Sequence, residues 1–371
     1  MIKNERVTRF IYPYKPTMHN RKQEGVNTAM KWVVCDSNTF YIYVMKHVSI
    51  LVPEGDVSVT NIEGTHQIFG HVNQLAALAG KPPVFKTQLV GLKSESRVKG
   101  LFSIHPNALI DEVETTDLII IPALQSNMVT ALKANEPFVP WLIQQYKQGA
   151  EIASLCIGSF LLASTGLLKG RKCATHWVAA NQFRSMFPDI DLVTDRIITD
   201  EKGLYSSGGA YSSLNLVLYL VEKFAGREIA ISCSKVFQIE IERNSQSTFM
   251  IFNPQKEHED DAVKRAQHYI EEHYSSKLSV EDLATMLHVS RRNLERRFRK
   301  VTYNSIAEYI QRVRVEAAKK VLERERENVN EAMYKAGYTD VKAFRTIFKK
   351  LTGVSPVEYR NKYNKRSLMI A

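Results

Sequence analysis

Residues 154–168 read SLCIGSFLLASTGLL, and this stretch decides the fold of the first two thirds of the chain. An apolar run at 152–155 predicts a buried strand. Cys156 follows it directly, and Gly158 opens an apolar helical stretch that ends at Gly166. A strand that turns at once into a helix can hold a cysteine at a sharp turn, exposed and near a positive helix end. The stretch predicts an α/β fold and raises the question of whether Cys156 performs chemistry.

Apolar strands alternate with helical segments from residue 45 to about residue 240. The strand-like runs are VSILVP, FKTQLVG, LIIIP and EIASLC, and the helical candidates are GTHQIFGHVNQLAALAG, VPWLIQQYKQG and SSLNLVLYLVEKFAG. Such alternation is typical of a mostly parallel sheet covered by helices, here of the flavodoxin-like type. Because sites in such sheets form at the carboxyl ends of the strands, Cys156 is predicted to lie where a site would form.

The composition is that of an ordinary globular protein. The 371 residues, 44% hydrophobic and 24% charged, are enough for two domains with separate cores. No run approaches the roughly 18 consecutive apolar residues of a membrane span, and the first 30 residues lack the apolar core of a signal peptide. The cysteines, which show neither paired nor metal-like spacing, are Cys35, Cys156, Cys173 and Cys233. We therefore predict a cytoplasmic protein with reduced thiols, no metal, no cofactor and no membrane partner.

The net charge of +11 is concentrated in the last third of the chain. From residue 260 onward there are 24 Lys and Arg against 15 Asp and Glu, whereas the preceding residues hold 26 against 24. A basic third beside a nearly neutral body predicts a polyanionic partner for that third. On charge alone, a merely solvated basic surface remains the alternative.

Residues 278–302, LSVEDLATMLHVSRRNLERRFRKVT, have the pattern of two helices separated by a tight turn. Ser279 is predicted to begin the first helix and Ser290 the second, each as an N-cap. The positions predicted to be buried are Leu283 and Leu287 on the first helix and Leu294, Phe298 and Val301 on the second. The other face of the second helix is rich in arginine, which is typical of a helix-turn-helix unit.

The same pattern returns 50 residues later, in NEAMYKAGYTDVKAFRTIFKKLTG at 330–353. Asp340 is predicted to cap a helix with a buried stripe of Phe344, Phe348 and Leu351. Between the units, SIAEYIQRVRVEAAKKVLERE is a long amphipathic helix that is predicted to hold them at a fixed separation. A rigid pair of recognition helices can enter two successive major grooves on one face of DNA, about 34 Å apart. Two matched units predict DNA binding far more strongly than one.

The segments RVRVEAAKKVLE and GYTDVKAFRTIFKKLTGVSPVEYR resemble the DNA-binding domain of the AraC family of transcription regulators, over about residues 263–363. The resemblance implies a regulator, expected to be an activator, that binds promoter DNA through one recognition helix per unit and contacts RNA polymerase. The residues that it implies to face base edges are Arg292, Glu295, Arg296, Lys342 and Thr346. Those better suited to phosphates are Arg291, Arg297, Arg299, Arg345 and Lys349, and Asn293 lies on the same exposed face. For any single arginine, a solvated surface charge is the alternative.

The segments IASLCIGSFLLASTGLLKGRKCATHW and YSSGGAYSSLNLVLYLVEKFAGREIA resemble the DJ-1/PfpI branch of the glutamine-amidotransferase-like superfamily, over about residues 45–240. The resemblance implies a DJ-1-like sensor domain that binds a small-molecule effector and pairs with a second copy, so that the protein is a homodimer. It points to small nitrogenous metabolites, such as amino acids or quaternary amines, as inducers.

Three parts that catalysis in such a domain requires are missing around Cys156. Protease-like relatives have His directly after the cysteine, where this chain has Ile157. Many relatives have Glu five residues after the glycine of the first strand's loop, where this chain has Thr60, and the Gly-Gly pair expected after the third strand is absent from IIIPALQSN. Only His176 remains as a partner for the thiol. We therefore predict no enzymatic activity and a ligand pocket that includes Thr60, Cys156, Ile157 and His176.

Other roles stay open at this point. Cys156 as a redox-sensing thiol is one alternative, because a cysteine at such a turn can have a depressed pKa. A thiol hydrolase or hydratase fused to a DNA-binding domain is another, and a purely structural dimerisation domain is the third. The predicted boundaries are a flexible N-terminal extension (1–44), the sensor domain (45–240), a linker (241–262) and the DNA-binding domain (263–371).

Overall fold

The structure is a computed structural model, and it describes residues 31–36, 39–98, 102–125, 127–241, 245–324 and 327–364. It divides into two units, residues 1–44 and residues 45–371. In the first unit, β1 (Lys31–Asp36) and β2 (Thr39–Val44) pair antiparallel. These strands are rich in β-branched and aromatic residues, which favour strands. The prediction of a flexible extension did not include them, and its remaining part, residues 1–30, lies outside the described residues.

The second unit begins with an α/β domain. Its strands are β3 (Lys46–Val52), β4 (Phe85–Gly91), β5 (Ser96–Val98), β6 (Phe102–Ile104), β7 (Ala108–Leu109), β8 (Leu118–Ile121), β9 (Glu151–Ser154), β10 (Lys172–Cys173), β11 (Asp191–Leu192), β12 (Ile198–Asp200) and β13 (Leu204–Ser207). Its helices are α1 (Val59–Leu78), α2 (Met128–Ala134), α3 (Phe138–Lys147), α4 (Ser159–Ser164), α5 (Ala180–Met186), α6 (Leu214–Ala225) and α7 (Arg227–Val236).

Seven of these strands form one sheet in the order β12-β13-β9-β8-β3-β4-β7. Every neighbouring pair is parallel except β12 with β13. The predicted parallel α/β class is confirmed, and the four apolar runs that predicted strands are β3, β4, β8 and β9. β8 and β9 lie side by side near the middle of the sheet, so the turn that carries Cys156 follows a central strand.

Helices cover both faces of the sheet. Successive residues of a strand point to opposite faces, and Ile50 packs into the core beneath α1, α6 and α7, whereas Leu51 packs into the core beneath α2 to α5. Ile120 and Ile121 divide in the same way. Because both faces are buried, these strands are continuous apolar runs rather than alternating ones.

The described part of the chain beyond residue 260 is helical: α8 (Asp261–His273), α9 (Val280–Met286), α10 (Arg291–Thr302), α11 (Ile306–Arg324), α12 (Val329–Lys335), α13 (Val341–Thr352) and α14 (Pro356–Tyr363). The predicted caps are in place. Ser279 Oγ accepts from Asp282 N at 3.1 Å, Ser290 Oγ from Asn293 N at 3.3 Å, and Asp340 Oδ1 from Ala343 N at 2.6 Å. The two helix-turn-helix units are α9–α10 and α12–α13.

Helix α11 contributes to the cores of both helix-turn-helix units. Ile306 and Tyr309 pack into the core around α9–α10, and Ala318 and Leu322 pack into the core around α12–α13. Its 19 residues span about 28 Å at the usual rise of about 1.5 Å per residue. The two recognition helices, α10 and α13, therefore belong to units that share one continuous helix.

The segment between the domains is hydrogen-bonded to both of them. We call residues 245–253 the strap. Gln246 Nε2 donates to the carbonyls of Thr175, Thr194 and Arg196 at 3.0, 2.9 and 3.2 Å. On the helical side, Thr248 Oγ1 donates to Thr352 O at 3.1 Å, and Phe252 N donates to Glu316 Oε2 at 3.2 Å. The prediction of a linker over 241–262 did not include these attachments.

Candidate functional site

Helix α10 presents an arginine-rich face. Leu294 and Phe298 are fully buried, whereas Arg292, Arg296 and Arg299 are exposed. Arg296 Nη2 donates to Asn293 Oδ1 at 3.1 Å, so the amide holds this guanidinium on the helix surface. Arginine donors held in this way can reach phosphate oxygens or the acceptor pair of a guanine.

Two residues of the predicted DNA face are paired with each other in the free protein. Arg291 Nε donates to Glu295 Oε1 at 3.0 Å, and Arg291 also contacts the Glu281 carboxylate closely. The Glu295 hydrogen bond and the Glu281 charge raise the pKa of Arg291. All three side chains are solvated, and such pairs are weak in water. DNA can therefore replace these pairs at little cost.

Arg297 has a partner that the sequence did not suggest. Its Nε and Nη2 donate to the Asp260 carboxylate at 2.8 and 2.5 Å, and Asp260 Oδ1 also accepts from Val263 N at 3.1 Å as the N-cap of α8. The Arg297 hydrogen bonds hold the pKa of Asp260 below its usual value. This forked pair fastens α10 to α8, and it occupies two donors of the guanidinium that is predicted to contact phosphate.

Helix α13 presents the second basic face. Phe344 and Phe348 are buried, and four predicted DNA contacts are exposed: Lys342, Arg345, Thr346 and Lys349. Thr346 Oγ1 donates to Lys342 O at 2.8 Å, so its hydroxyl proton is used within the helix while the oxygen can still accept. This face is thus supplied with cationic donors and one hydroxyl acceptor.

The predicted turn at Cys156 is present at the carboxyl edge of the sheet. Cys156 adopts φ +55, a left-handed conformation that is uncommon for a residue with a side chain. Its N–H donates to Ser207 Oγ at 3.3 Å and its carbonyl accepts from Thr175 Oγ1 at 3.4 Å. A Cβ on Gly158 would lie 2.5 Å from Pro122 O, so this glycine lets the chain pass close to the end of β8.

The Cys156 thiol is shielded from solvent. It is only 6% exposed, and burial raises its pKa to about 12, although the Ile157 N–H acts in the opposite direction. The thiolate is the reactive form of cysteine, and at neutral pH this side chain is a neutral thiol. The exposed thiol that the turn architecture suggested is therefore not observed.

The other predicted pocket residues differ in exposure and in hydrogen bonding. Thr60 is exposed in the first turn of α1, and Ile157 is half-buried against the core beneath α2 to α5. His176 Nδ1 accepts from Val178 N at 3.2 Å, which makes His176 the cap of a short helical turn, and burial lowers its pKa. Within the described residues, no hydrogen bond joins Cys156 to Thr60 or to His176.

Asn61 joins three elements at the carboxyl edge of the sheet, and no sequence pattern predicts this role. Asn61 is 2% exposed. Its Oδ1 accepts from Ala123 N at 3.1 Å, and its Nδ2 donates to Ser213 Oγ at 3.0 Å. The amide thus links α1 to the residues after β8 and to the start of α6. One asparagine at a helix start is not distinguishable by sequence from an ordinary capping residue.

Within the described ranges, no group of three or more His, Cys, Asp or Glu side chains is arranged to hold a metal ion. No helix among them is both long and apolar enough to cross a membrane.

Two protein families match separate parts of the chain. The DJ-1/PfpI family matches residues 75–223, and the helix-turn-helix domain matches residues 283–362. The first match contains the Cys156 turn, and the second contains α10, α11 and α13. The order of the two matches is that of the two domains in the structure.

Curated relatives include regulators and an enzyme. The HTH-type transcriptional regulator GbdR of Pseudomonas aeruginosa is 25% identical over 69% of this chain and 69% of its own length. The regulator CdhR of the same organism is 24% identical over 70% of this chain and 76% of its own. An isonitrile hydratase of Pseudomonas putida is 24% identical over 38% of this chain and 57% of its own. The chain thus joins a DJ-1/PfpI domain to a C-terminal helix-turn-helix domain of the AraC type, and transcriptional regulators are among its relatives.

Proposed function

We propose that this regulator binds promoter DNA with α10 and α13 together and activates transcription in response to a small-molecule effector. The observation that carries the proposal is the pair of capped basic helices mounted on the single helix α11. Because both recognition helices pack against α11, they are presented to one DNA duplex at a fixed spacing. We further propose that the protein acts as a homodimer in the cytoplasm and contacts RNA polymerase.

Within that interface, the residues divide by chemistry. We assign Arg292 and Arg296 to guanine acceptors and Glu295 to a cytosine amino group on the first unit. On the second unit we assign Lys342 and Thr346 to base edges. The remaining exposed cations, which we assign to phosphates, are Arg291, Arg299, Arg345 and Lys349. Asn293 positions Arg296.

We propose that the α/β domain senses and does not turn over substrate. The burial of Cys156, its raised pKa and the capping role of His176 support this assignment. An enzymatic alternative deserves a test because the left-handed turn at Cys156 persists and a hydratase is among the relatives. Hydration of an isonitrile by the purified protein, lost in Cys156→Ala, would establish that alternative.

Genome-wide binding of the tagged protein, with and without candidate amino acids and quaternary amines, tests the regulator proposal. We expect enrichment at a few promoters that share a two-part motif, with expression of the adjacent genes rising on induction. The matched control is a protein with Arg292, Arg296, Lys342 and Arg345 changed to Ala, which should lose that enrichment while keeping the fold. Absence of specific enrichment under every condition would contradict the proposal.

A further inference from the structure

A cavity of about 130 Å³ lies between the two domains. Arg184 lines it from α5 of the α/β domain, Arg312 lines it from α11, and residues 250–253 of the strap form a third wall. The cavity is therefore built from the sensor domain, the helix that carries both recognition helices, and the segment that joins them. It is separate from Thr60, Cys156, Ile157 and His176, which do not line it.

The lining carries uncompensated positive charge. Its charged residues are Arg184, Arg312, Lys319 and Glu316, three positive and one negative. Lys319 Nζ donates to Glu316 Oε2 at 2.8 Å and to Met250 O at 2.6 Å, so this lysine and this glutamate are paired. The charges of Arg184 and Arg312 are not balanced by this pair. Among the described residues neither forms an ion pair, and Arg312 Nε is buried without a hydrogen-bond partner.

The surroundings disfavour the charge of each guanidinium group. Burial and the charge of Arg312 lower the pKa of Arg184, and burial lowers the pKa of Arg312. Glu308 attracts Arg312, but its Oε2 already accepts from Ser305 N and Ser305 Oγ at 2.8 Å each. Buried cations are normally paired, and a buried N–H without a partner carries the cost of its lost hydration. A bound anion would remove both penalties.

We propose that this cavity is an effector site for a small anion, whose carboxylate or phosphate head lies between Arg184 and Arg312. Guanidinium donors match the planar fork of a carboxylate and the oxygens of a phosphate, so both heads share the required chemistry. The regulatory role of this anion site rests on the proposed function. An anion held by both walls favours the arrangement in which α5 and α11 face each other across the cavity. A ligand that prefers one arrangement shifts the population of the DNA-binding unit.

Thermal melting of the full chain without DNA tests the site directly. We expect sodium phosphate or sodium succinate to raise the melting temperature in a saturable way beyond sodium chloride at equal ionic strength, because an anion that binds only the folded state stabilises it. Comparing the two salts shows which head the site prefers. Arg184→Gln and Arg312→Gln should abolish the rise, whereas Arg265→Gln, at an exposed position on α8, should retain it.

A second measurement needs no ligand. In chloride alone, Arg184→Gln should melt no lower than Arg184→Lys, since only the lysine keeps the repulsion with Arg312. The proposal is overturned if neither salt exceeds chloride, if the Gln variants at 184 and 312 respond like the parent protein, or if Arg184→Gln melts below Arg184→Lys. Because no DNA is present, failure here is distinct from failure to bind promoters. Loss of DNA binding in the Gln variants without an anion response would assign the arginines to the DNA backbone instead.

Discussion

Arg296 combines exposure with a fixed orientation. Its guanidinium is held by Asn293 at 3.1 Å on the solvent face of α10. We expect Arg296→Ala to weaken binding to the specific promoter sequence by about 1–3 kcal/mol and to relax preference at one base position, the usual effect of removing a bidentate base contact. Titration of wild-type and singly substituted duplexes measures both. Arg265→Ala, at an exposed position on α8, is the control, and equal affinity of Arg296→Ala for every duplex would remove Arg296 from the base-reading set.

Arg297 and Arg299 are two residues apart but are predicted to behave differently. Arg299→Ala should reduce the slope of log affinity against log salt by about 1, as expected for one lost phosphate contact. Arg297→Ala should leave that slope unchanged and lower the melting temperature, because it removes the fork that holds Asp260. A reduced salt slope in Arg297→Ala would support its phosphate role.

The ion pair of Arg297 also has a pH signature. Its partner Asp260 has a lowered pKa in the folded protein. The pair therefore contributes stability above the unfolded carboxyl pKa of about 4, and this contribution is lost as the pH falls through the folded value. The difference in melting temperature between the parent protein and Arg297→Ala should accordingly shrink from pH 7 towards pH 3.

Cys156 provides a test of thiol chemistry. Because burial raises its pKa to about 12, we expect Cys156 in the folded protein to react with iodoacetamide much more slowly at pH 8 than in denaturant, where thiols have a pKa of about 8.5. Folding favours the neutral thiol, so its contribution to stability is present below that value and declines as the pH rises above it. Peptide mass spectrometry after timed labelling measures the rate. Rapid native labelling would favour the redox-sensing role.

At the scale of elements, Gln246 anchors the strap to the α/β domain. Gln246 is 1% exposed and donates to three carbonyls, and a Cβ on Gly208 would lie only 2.3 Å from its Nε2. We expect Gln246→Ala to destabilise the protein by about 1–3 kcal/mol, because it leaves buried acceptors without partners. Gln246→Glu keeps the shape but places a carboxylate against those carbonyls, so it should destabilise more at pH 7. Chemical denaturation measures both, and Glu tolerated as well as Gln would refute this packing.

The elements that the sequence could predict are those whose local pattern matches their surroundings in the fold. β3, β8 and β9 are buried on both faces, and α10 and α13 have caps and apolar stripes at helical spacing, so local pattern and tertiary environment agree. The strap has no period, and the contacts of Gln246 join positions 50 to 71 residues apart. Arg184 and Arg312 likewise come together only because α5 and α11 line the same cavity. Such juxtapositions follow from the tertiary fold, and one sequence carries no local signal for them.

At the scale of the whole molecule, the shared helix α11 makes a prediction about DNA geometry. If it holds α10 and α13 rigidly, the two helices must meet DNA in successive major grooves on one face, about 10 base pairs apart. We expect a 5-base-pair insertion between the two halves of the motif to place them on opposite faces and to weaken binding at least about tenfold, comparable to losing contacts worth 1–3 kcal/mol each. Substitution of base pairs between the two halves of the motif, which leaves their spacing unchanged, is the control for sequence alone. Affinity that does not change with the insertion would mean that the units bind independently and that α11 does not fix their spacing.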